Sequence, residues 1–387
     1  MAALELRTHG SIRDLGEAAW SALLPADAPP FLEFTWLDAL EVSGAVTPER
    51  GWTPCFLTLH DEDALVAAAP AYLKSHSDGE FVFDYGWARF AEERLGLAYY
   101  PKLVVGVPFT PATGPRLLVA AGRERAPLEE AFARGLAGVV ERLGLSGAHV
   151  LFPPEPEAAA LARAGMLHRF GLQFHWRNQG YASFDEFLSC FDSKRRHQIR
   201  RERRALDEQG TRLEIATGAE LTPELAEVMF ELYVSTIEKF SWGRQYLNRA
   251  FFREVCARMP ERLHLVIARD QASRRIVAGA FNLLGKRALY GRYWGAREER
   301  PFLHFNVCYY RAIEDAIARG LALFEPGAGG EHKLARGFAP TATHSAHLLA
   351  DPALRAAVAD FCRRERRAVE EEVAGAARSP VVRPLAR

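Results

Sequence analysis

Apolar and polar positions alternate over residues 56–61 and 66–73, and again over 264–269 and 276–284, with a polar turn inside each pair. A period of two marks half-buried strands, so each pair reads as an antiparallel hairpin. The hairpins echo one another. FLTLHDEDALVAAAPAYL (56–73) and HLVIARDQASRRIVAGAFNLL (264–284) both enter their second strand through Val-Ala-x-Ala, at Val66–Ala69 and Val277–Ala280. A third strand is expected after each, GEFVFDYGW at 79–87 and RALYGRYWG at 287–295.

Helical periodicity follows in both halves. PLEEAFARGLAGVVERLG (127–144) opens on a proline and acidic residues and closes on Gly144; FNVCYYRAIEDAIARG (305–320) closes on Gly320. Proline and acids suit a helix start, and glycine suits the residue past its end. Short strands come next, GAHVLFP and LALFEP. The second half also has a strand, TRLEIAT, and helices over 223–240 and 248–259 ahead of its hairpin, then a strand over 341–349 and a last helix over 351–373. Strand, two helices, three antiparallel strands, helix, strand, strand is the order of a GNAT-type acyltransferase fold. The echo between halves predicts two tandem GNAT-like domains of the α+β class, each a mixed, mostly antiparallel sheet flanked by helices. The expected divisions are 1–178, linking helices over 179–210, 211–375 including the terminal helix, and a frayed tail over 376–387.

A length of 387 residues independently favours two domains. With 49 basic and 49 acidic residues, the chain is not a whole-surface nucleic-acid or membrane binder, so any anion site is a local patch. The N-terminus lacks a basic segment followed by an apolar one, and the longest low-polarity run, ALVAAAPAYL at 64–73, is too short to span a bilayer. A soluble, cytoplasmic protein is expected. Five widely spaced cysteines without C-x-x-C read as reduced thiols. His344 and His347 lie three apart on a strand, which turns their rings to opposite faces, so no metal site is expected.

Four segments carry candidate chemistry. In SKRRHQIRRERR (193–204), seven of the eleven residues after Ser193 are Lys or Arg. The segment reads as a helix capped by Ser193, with Ile199, Glu202 and Leu206 toward one face. Lys194, Arg195 and Arg196 fill its first turn, where the helix dipole disfavours cations, so stability alone would not choose them; a phosphate there would satisfy both the N–H groups and the side chains. In LFEPGAGGEHKLARGFAP (323–340), a strand enters a turn with glycines at 327, 329 and 330, followed by His332, Lys333 and Arg336. A partly desolvated Lys333 can stabilise an oxyanion or act as a base. The third, YYPKLVVGVPFTPATGPRLLV (99–119), holds Lys102 and Arg116 beside a proline-rich loop, and the fourth, GRYWGAREERPFLHFN (291–306), holds Arg292, Tyr293 and His304. The Gly-rich turn with which acetyl-CoA enzymes of this fold hold pyrophosphate is replaced by GAREERPFLHF, which disfavours simple acetyl-CoA binding.

These stretches, with FHWRNQGYASFDEFLSCFDSKRRHQIRRERR and the run from LYGRYWG to KLARGF, resemble the Fem-like branch of the GNAT superfamily over nearly the full length. The resemblance implies metal-free, amide-forming acyl or aminoacyl transfer, with charged tRNA as donor and an amine on a cell-wall muropeptide precursor as acceptor. It also implies a lysine near the reacting groups, matched by Lys333 in EHKLARGF. His332 stands where the family carries an aromatic residue, and Gly337-Phe338 is reversed in order. No cofactor follows from this; tRNA and acyl-CoA are the donors to test. Lys333 and His304 are the catalytic candidates. Lys102, Arg116, Lys194, Arg195, Arg196, Arg292, Tyr293, His332 and Arg336 are the substrate-binding candidates, the basic helix forming the charged rim of an interdomain cleft. Competing readings are a CoA-dependent N-acyltransferase, a non-catalytic binder of muropeptides or other anions, and nucleic-acid binding through the basic helix alone. The helix lacks interleaved aromatic residues for base stacking, and sequence-specific DNA binding is not expected.

Overall fold

The computed structural model describes residues 4–239 and 243–385. It divides into two compact units, Met1–Leu172 with Ala342–Glu372, and Gln173–Thr341 with Val373–Arg387. The first contains β1 (Glu5–His9), α1 (Glu17–Ala22), α2 (Phe34–Val42), β2 (Trp52–Pro54), β3 (Phe56–Asp61), β4 (Ala64–Ala69), β5 (Ala71–Lys74), α3 (Tyr85–Leu95), β6 (Lys102–Val105), β7 (Leu118–Val119), α4 (Arg125–Leu143), β8 (Gly147–Leu151) and α5 (Glu155–Arg163). Strands β1, β3, β4 and β7 form an antiparallel sheet. In a second array β2, β5 and β6 are antiparallel and β6 runs parallel to β8. Pro70 separates β4 from β5; with no N–H to give a ladder, it ends one strand and lets the chain join the other array. Leu128, Phe132, Leu136 and Val139 of α4 pack on Leu57, Leu59, Val105 and Val150, burying the helix's apolar stripe against the strands.

The expected third strand over 79–87 is absent: residues 80–84 form a loop and α3 begins at Tyr85. Glu80 and Asp84 instead reach Lys102 Nζ at 2.8 and 2.5 Å, and Phe81 takes a positive φ of 60°. Satisfying a buried ammonium with two carboxylates outweighs a short apolar alternation.

Strand β9 (Leu167–Arg177) carries the chain into the second unit, which holds α6 (Phe184–Ser189), α7 (Ser193–Glu208), β10 (Thr211–Ala216), α8 (Pro223–Ile237), α9 (Arg249–Arg258), β11 (Leu263–Asp270), β12 (Ile276–Leu284), β13 (Ala288–Ala296), α10 (Leu303–Phe305), a π-helical turn Asn306–Tyr310, α11 (Arg311–Ala318) and β14 (Leu323–Glu325). The helix expected over 223–240 is found to Ile237; residue 240 lies outside the described residues. Strands β10 to β13 are antiparallel, β13 and β14 are parallel, and β14 pairs antiparallel with the end of β9. This mixed, mostly antiparallel sheet with flanking helices has the expected GNAT-like order. Helix α8 lies directly on β13: a Cβ at Gly295 would stand 1.6 Å from the Leu232 carbonyl oxygen, so only glycine allows the approach.

The chain then returns through β15 (Ala339–Leu349) and α12 (Pro352–Arg378). The division therefore differs from the boundaries expected from sequence. β15 pairs antiparallel with β8 from Ser345 to Leu349, and α12 buries Leu354, Val358 and Cys362 against Trp87, Ala91 and Tyr99, which places 342–372 with the first unit. Nor do the last residues leave the surface within the described chain. Val381, Val382 and Leu385 pack on the second unit's core, the Arg383 amide donates to the Cys190 carbonyl at 2.9 Å, and the Leu385 amide donates to Gln179 Oε1 at 3.0 Å. Among the described residues no helix is long and apolar enough to cross a membrane.

A histidine pair sits in the first unit's core. His149 Nδ1 lies 2.8 Å from His347 Nδ1, and His347 Nε2 lies 2.8 Å from Ser345 Oγ. Burial, with the Lys102 charge adding to it, holds the His149 imidazole down to about 3. Above the ordinary histidine value of about 6.5 the ring is neutral in both states. As pH falls below it the unfolded chain takes up a proton that the folded chain refuses, so stability declines down to about pH 3. At pH 5 this ring costs about 2 kcal/mol. His149→Asn is expected to flatten the dependence of denaturation midpoint on pH between 6.5 and 4; an unchanged slope would show that the ring takes no part.

Candidate functional site

The sequence candidates separate by unit. Lys102 and Arg116 lie in the first, both fully buried. Lys102 Nζ donates to Ser77 Oγ at 2.9 Å as well as to Glu80 and Asp84, so the three donors of its ammonium are spent. Arg116 donates to the Leu151, Gly114 and Ala112 carbonyls at 2.6, 2.8 and 2.8 Å, which fixes the proline-rich loop. Both substrate-binding candidates thus have these donors satisfied inside the unit.

In the second unit the structure brings four candidates together. Gly327, Gly329 and Gly330 all adopt positive φ, a path that favours glycine, and turn the chain from β14 into a short 3-10 helix spanning Glu331–Arg336. Lys333, 3% exposed, donates from Nζ to the Gly327 carbonyl at 2.7 Å and the Ala328 carbonyl at 3.4 Å. Burial brings its ammonium down to about 8. His332 is exposed, with Nε2 2.9 Å from the Tyr309 hydroxyl. His304 lies with ring centroids 4.4 Å from Trp294, 5.2 Å from Tyr309 and 5.6 Å from His332. Burial, reinforced by the nearby His332, Arg336 and Lys333, lowers its imidazole to about 4, which leaves the ring neutral near pH 7.

Arg336 ties this turn to the basic helix. Its guanidinium donates from Nη2 to both carboxylate oxygens of Glu202 at 3.1 Å and from Nη1 to the His332 carbonyl at 2.9 Å, and it sits 3.2 Å from the Phe305 ring centroid, a cation–π contact. Glu202, 1% exposed, also accepts from the Tyr310 hydroxyl and from Gln198 Nε2 at 2.9 Å. Asn306 Nδ2 donates to the Glu202 carbonyl at 2.9 Å. Tyr309 and Tyr310 belong to the π-helical turn, an irregularity often found at functional sites. Glu202, Tyr309, Tyr310 and Phe305 are thus the members that sequence reasoning passed over. The signal for Glu202 was present: a lone acid between Ile199 and Leu206 on the apolar face of a basic helix requires a buried cation.

Helix α7 forms as expected, except that Asp192 rather than Ser193 caps it, its carboxylate accepting from the Arg195 amide at 2.8 Å. A carboxylate at this end offsets the unfavourable first-turn cations. Ile199, Glu202 and Leu206 are buried. Lys194, His197, Arg200, Arg201 and Arg204 are exposed. Arg195 donates to Gln198 Oε1 at 2.9 Å, and Arg196 reaches the Ser189 and Phe191 carbonyls at 3.4 Å. The remaining candidates lie on β13. Tyr293 joins an aromatic cluster with Tyr233, Phe252 and Phe281 at 5.0, 6.1 and 6.1 Å, with Arg292 5.4 Å from its ring centroid. Among the described residues no group of three or more His, Cys, Asp or Glu is placed to hold a metal ion.

The sheet order and its flanking helices define a protein of the GNAT-like fold. The chain belongs to the FemAB-like family, whose model, described as peptidoglycan biosynthesis/recognition, matches residues 11–383. The structure is similar to that of FemX, with a TM-score of 0.51 and 11% identity, covering 92% of this chain and 100% of that one. It is also similar to a conserved protein of unknown function from Bacteroides thetaiotaomicron, with a TM-score of 0.51 and 11% identity, covering 89% and 99% of the two chains. At these identities the likeness is one of fold. No curated protein matches by sequence.

Arg336→Met leaves the Glu202 carboxylate buried without its ionic partner and is expected to destabilise the second unit by about 3–5 kcal/mol. Arg204→Ala, on the exposed face of the same helix, should change stability by less than about 0.5 kcal/mol. Denaturant unfolding of both variants checks the contrast, and equal effects would refute it.

Proposed function

We propose that the chain transfers an acyl group, with an aminoacyl ester of RNA as the favoured donor, to an amine on a cell-wall precursor. The observation that carries this reading is Lys333, held by burial and two turn carbonyls beside a family-defining fold. The acceptor nitrogen attacks the acyl carbonyl carbon, the carbonyl oxygen becomes an oxyanion, and its collapse forms the amide and expels the ester oxygen, which leaves as a hydroxyl carrying the proton the amine gives up. With two donors on Gly327 and Ala328, the Lys333 ammonium keeps one N–H for that oxyanion. Holding donor and acceptor in register supplies the larger share of rate, about 7–11 kcal/mol.

Two features support a nucleic-acid-linked donor. Lys194, Arg201 and Arg204 form no ion pair among the described residues, leaving α7 a net positive face. The structure also supplies the aromatic surface that the helix sequence lacks. Trp294, His304 and Phe305 are half-buried and His332 is exposed, rings of the kind on which bases stack. Cationic side chains together with rings that can stack are the chemistry that binds single-stranded ends.

The test is a transfer assay with aminoacyl-tRNA, acetyl-CoA and longer acyl-CoA donors against muropeptide amines. Turnover is expected with aminoacyl-tRNA. Lys333→Met should lower kcat by about a hundredfold to a thousandfold and remove a descending limb near pH 8, where the ammonium loses its proton. Joint replacement of Lys194, Arg195 and Arg196 by Ala should raise KM for the RNA donor and flatten its salt dependence. Turnover with acyl-CoA alone would transfer the reading to a CoA-dependent N-acyltransferase. No turnover with any donor, together with muropeptide binding that survives Lys333→Met, would make the chain a binding protein.

A further inference from the structure

A hydrogen-bond relay leads from the first turn of α7 to the Lys333 turn. Arg195 Nη1 donates to Gln198 Oε1 at 2.9 Å, and Gln198 Nε2 donates to Glu202 Oε1 at 2.9 Å. Both Glu202 oxygens accept from Arg336, whose other terminal nitrogen donates to the carbonyl of His332, the residue before Lys333. The members at i, i+3 and i+7 share one face of the helix. Toward solvent the relay begins at a half-buried cation; its far end is deeply buried, with Glu202 1% and Arg336 5% exposed.

We infer that Glu202 is a positioning residue that couples anion binding at Arg195 to the placement of Lys333. The inference rests on the acyltransferase reading for its functional meaning, but the coupling itself does not require any transfer reaction. An anion on Arg195 draws the guanidinium from Gln198 and frees Gln198 to reorient. That changes how Glu202 divides its acceptance between Gln198 and Arg336, and Arg336 holds the turn carbonyl next to Lys333. The titratable and charged groups near this turn are Arg336, His332, His304, Cys308 and, on β9, His175. None of them lies on α7, so Glu202 is the member through which α7 acts. Occupation of the basic helix thereby sets the lysine before the acceptor arrives, a coupling that works equally in the opposite direction.

The experiment follows Lys333 by competitive labelling with an amine-reactive reagent across pH 6–11, read by mass spectrometry, with inorganic tripolyphosphate as the anion probe. In the unaltered protein, tripolyphosphate should shift the Lys333 labelling midpoint by about half a unit or more, well within the range that neighbouring charges produce. Glu202→Gln should raise the probe-free midpoint by about one unit as the turn loosens and the amine gains water. It should also abolish the response to tripolyphosphate while binding the probe within about threefold of the original affinity, because the cations of α7 remain. Gln198→Ala, at a half-buried position, breaks the relay without touching the Glu202–Arg336 pair. It should keep the original midpoint but lose the response, and it secures the test if Glu202→Gln fails to fold. A response that survives Gln198→Ala, or its absence in the unaltered protein, overturns the coupling. Because no acyl transfer is measured, that failure is separate from a failure of the proposed activity, which is read by turnover alone.

Discussion

The second unit is organised around one buried carboxylate. Desolvating Glu202 costs several kcal/mol, and the cost is offset only while charge and hydrogen bonds remain in place. Arg336 supplies the charge, and Tyr310 and Gln198 supply further donors. These partners come from the Lys333 turn, the π-helical turn and α7 itself. Moving any one of the three elements away leaves a charge or a hydroxyl without a partner in the core. That penalty, rather than the thin apolar seam of α7, specifies where a helix so rich in arginine must lie.

The first unit uses the same device with a different outcome. RRERR recurs at 363–367 in α12, where the central Glu365 receives Arg169 through two hydrogen bonds of 2.7 and 3.0 Å. Arg169 also lies 4.9 Å from the Trp87 ring and 5.2 Å from Phe361. Three of the four flanking arginines of α12 find acids on their own helix: Arg363 and Arg364 pair with Asp360, and Arg366 with Glu370. On α7, Lys194, Arg201 and Arg204 have no such partners among the described residues. The pentapeptide is therefore a way to turn a carboxylate inward, fully buried at Glu202 and half-buried at Glu365, against a stacked arginine, and the neighbouring sequence decides how far the outer face is neutralised. A chain balanced in total charge can still present one helix as a cation.

Much of the architecture was legible because it is local. Both hairpins, the helices ended by Gly144 and Gly320 and the basic helix follow from periodicity, turn residues and caps. What escaped was set by partners distant in sequence. The alternation over 79–87 gave way because Glu80 and Asp84 are called to Lys102. The terminal helix crosses to the first unit because β15 pairs with β8, a register that no window of sequence contains. Lys102 and Arg116 have the composition of ligand-binding cations, yet their donors are spent inside the unit. Lys333, His332, Arg336 and His304 were recognisable as residue types in suggestive turns; that Glu202 joins them depends on the Arg336 contact, which spans more than a hundred residues.

The turn after β13 bears directly on the choice of donor. In enzymes of this fold that hold pyrophosphate, backbone N–H groups at this position need an open, glycine-bearing path and an electropositive surround. Here Glu298 and Glu299 are exposed, and Arg300 is committed to Asp270 at 2.9 Å, Glu298 at 2.7 Å and Thr211 Oγ1 at 2.6 Å. Phe302 occupies a positive φ of 64° where a glycine would be at ease. The charges of this turn are all spent in ion pairs, Arg297 with Glu231, Glu298 and Asp270 with Arg300, and Glu299 with Lys239, so it offers a diphosphate no uncommitted cation. Among the described residues, Lys194, Arg201 and Arg204 lie unpaired on α7, which is joined through Glu202 to the lysine turn. On the proposed reading, an anionic donor is better matched to the helix than to the strand-end turn, and a nucleic-acid backbone would meet that helix with more charges than a single pyrophosphate can.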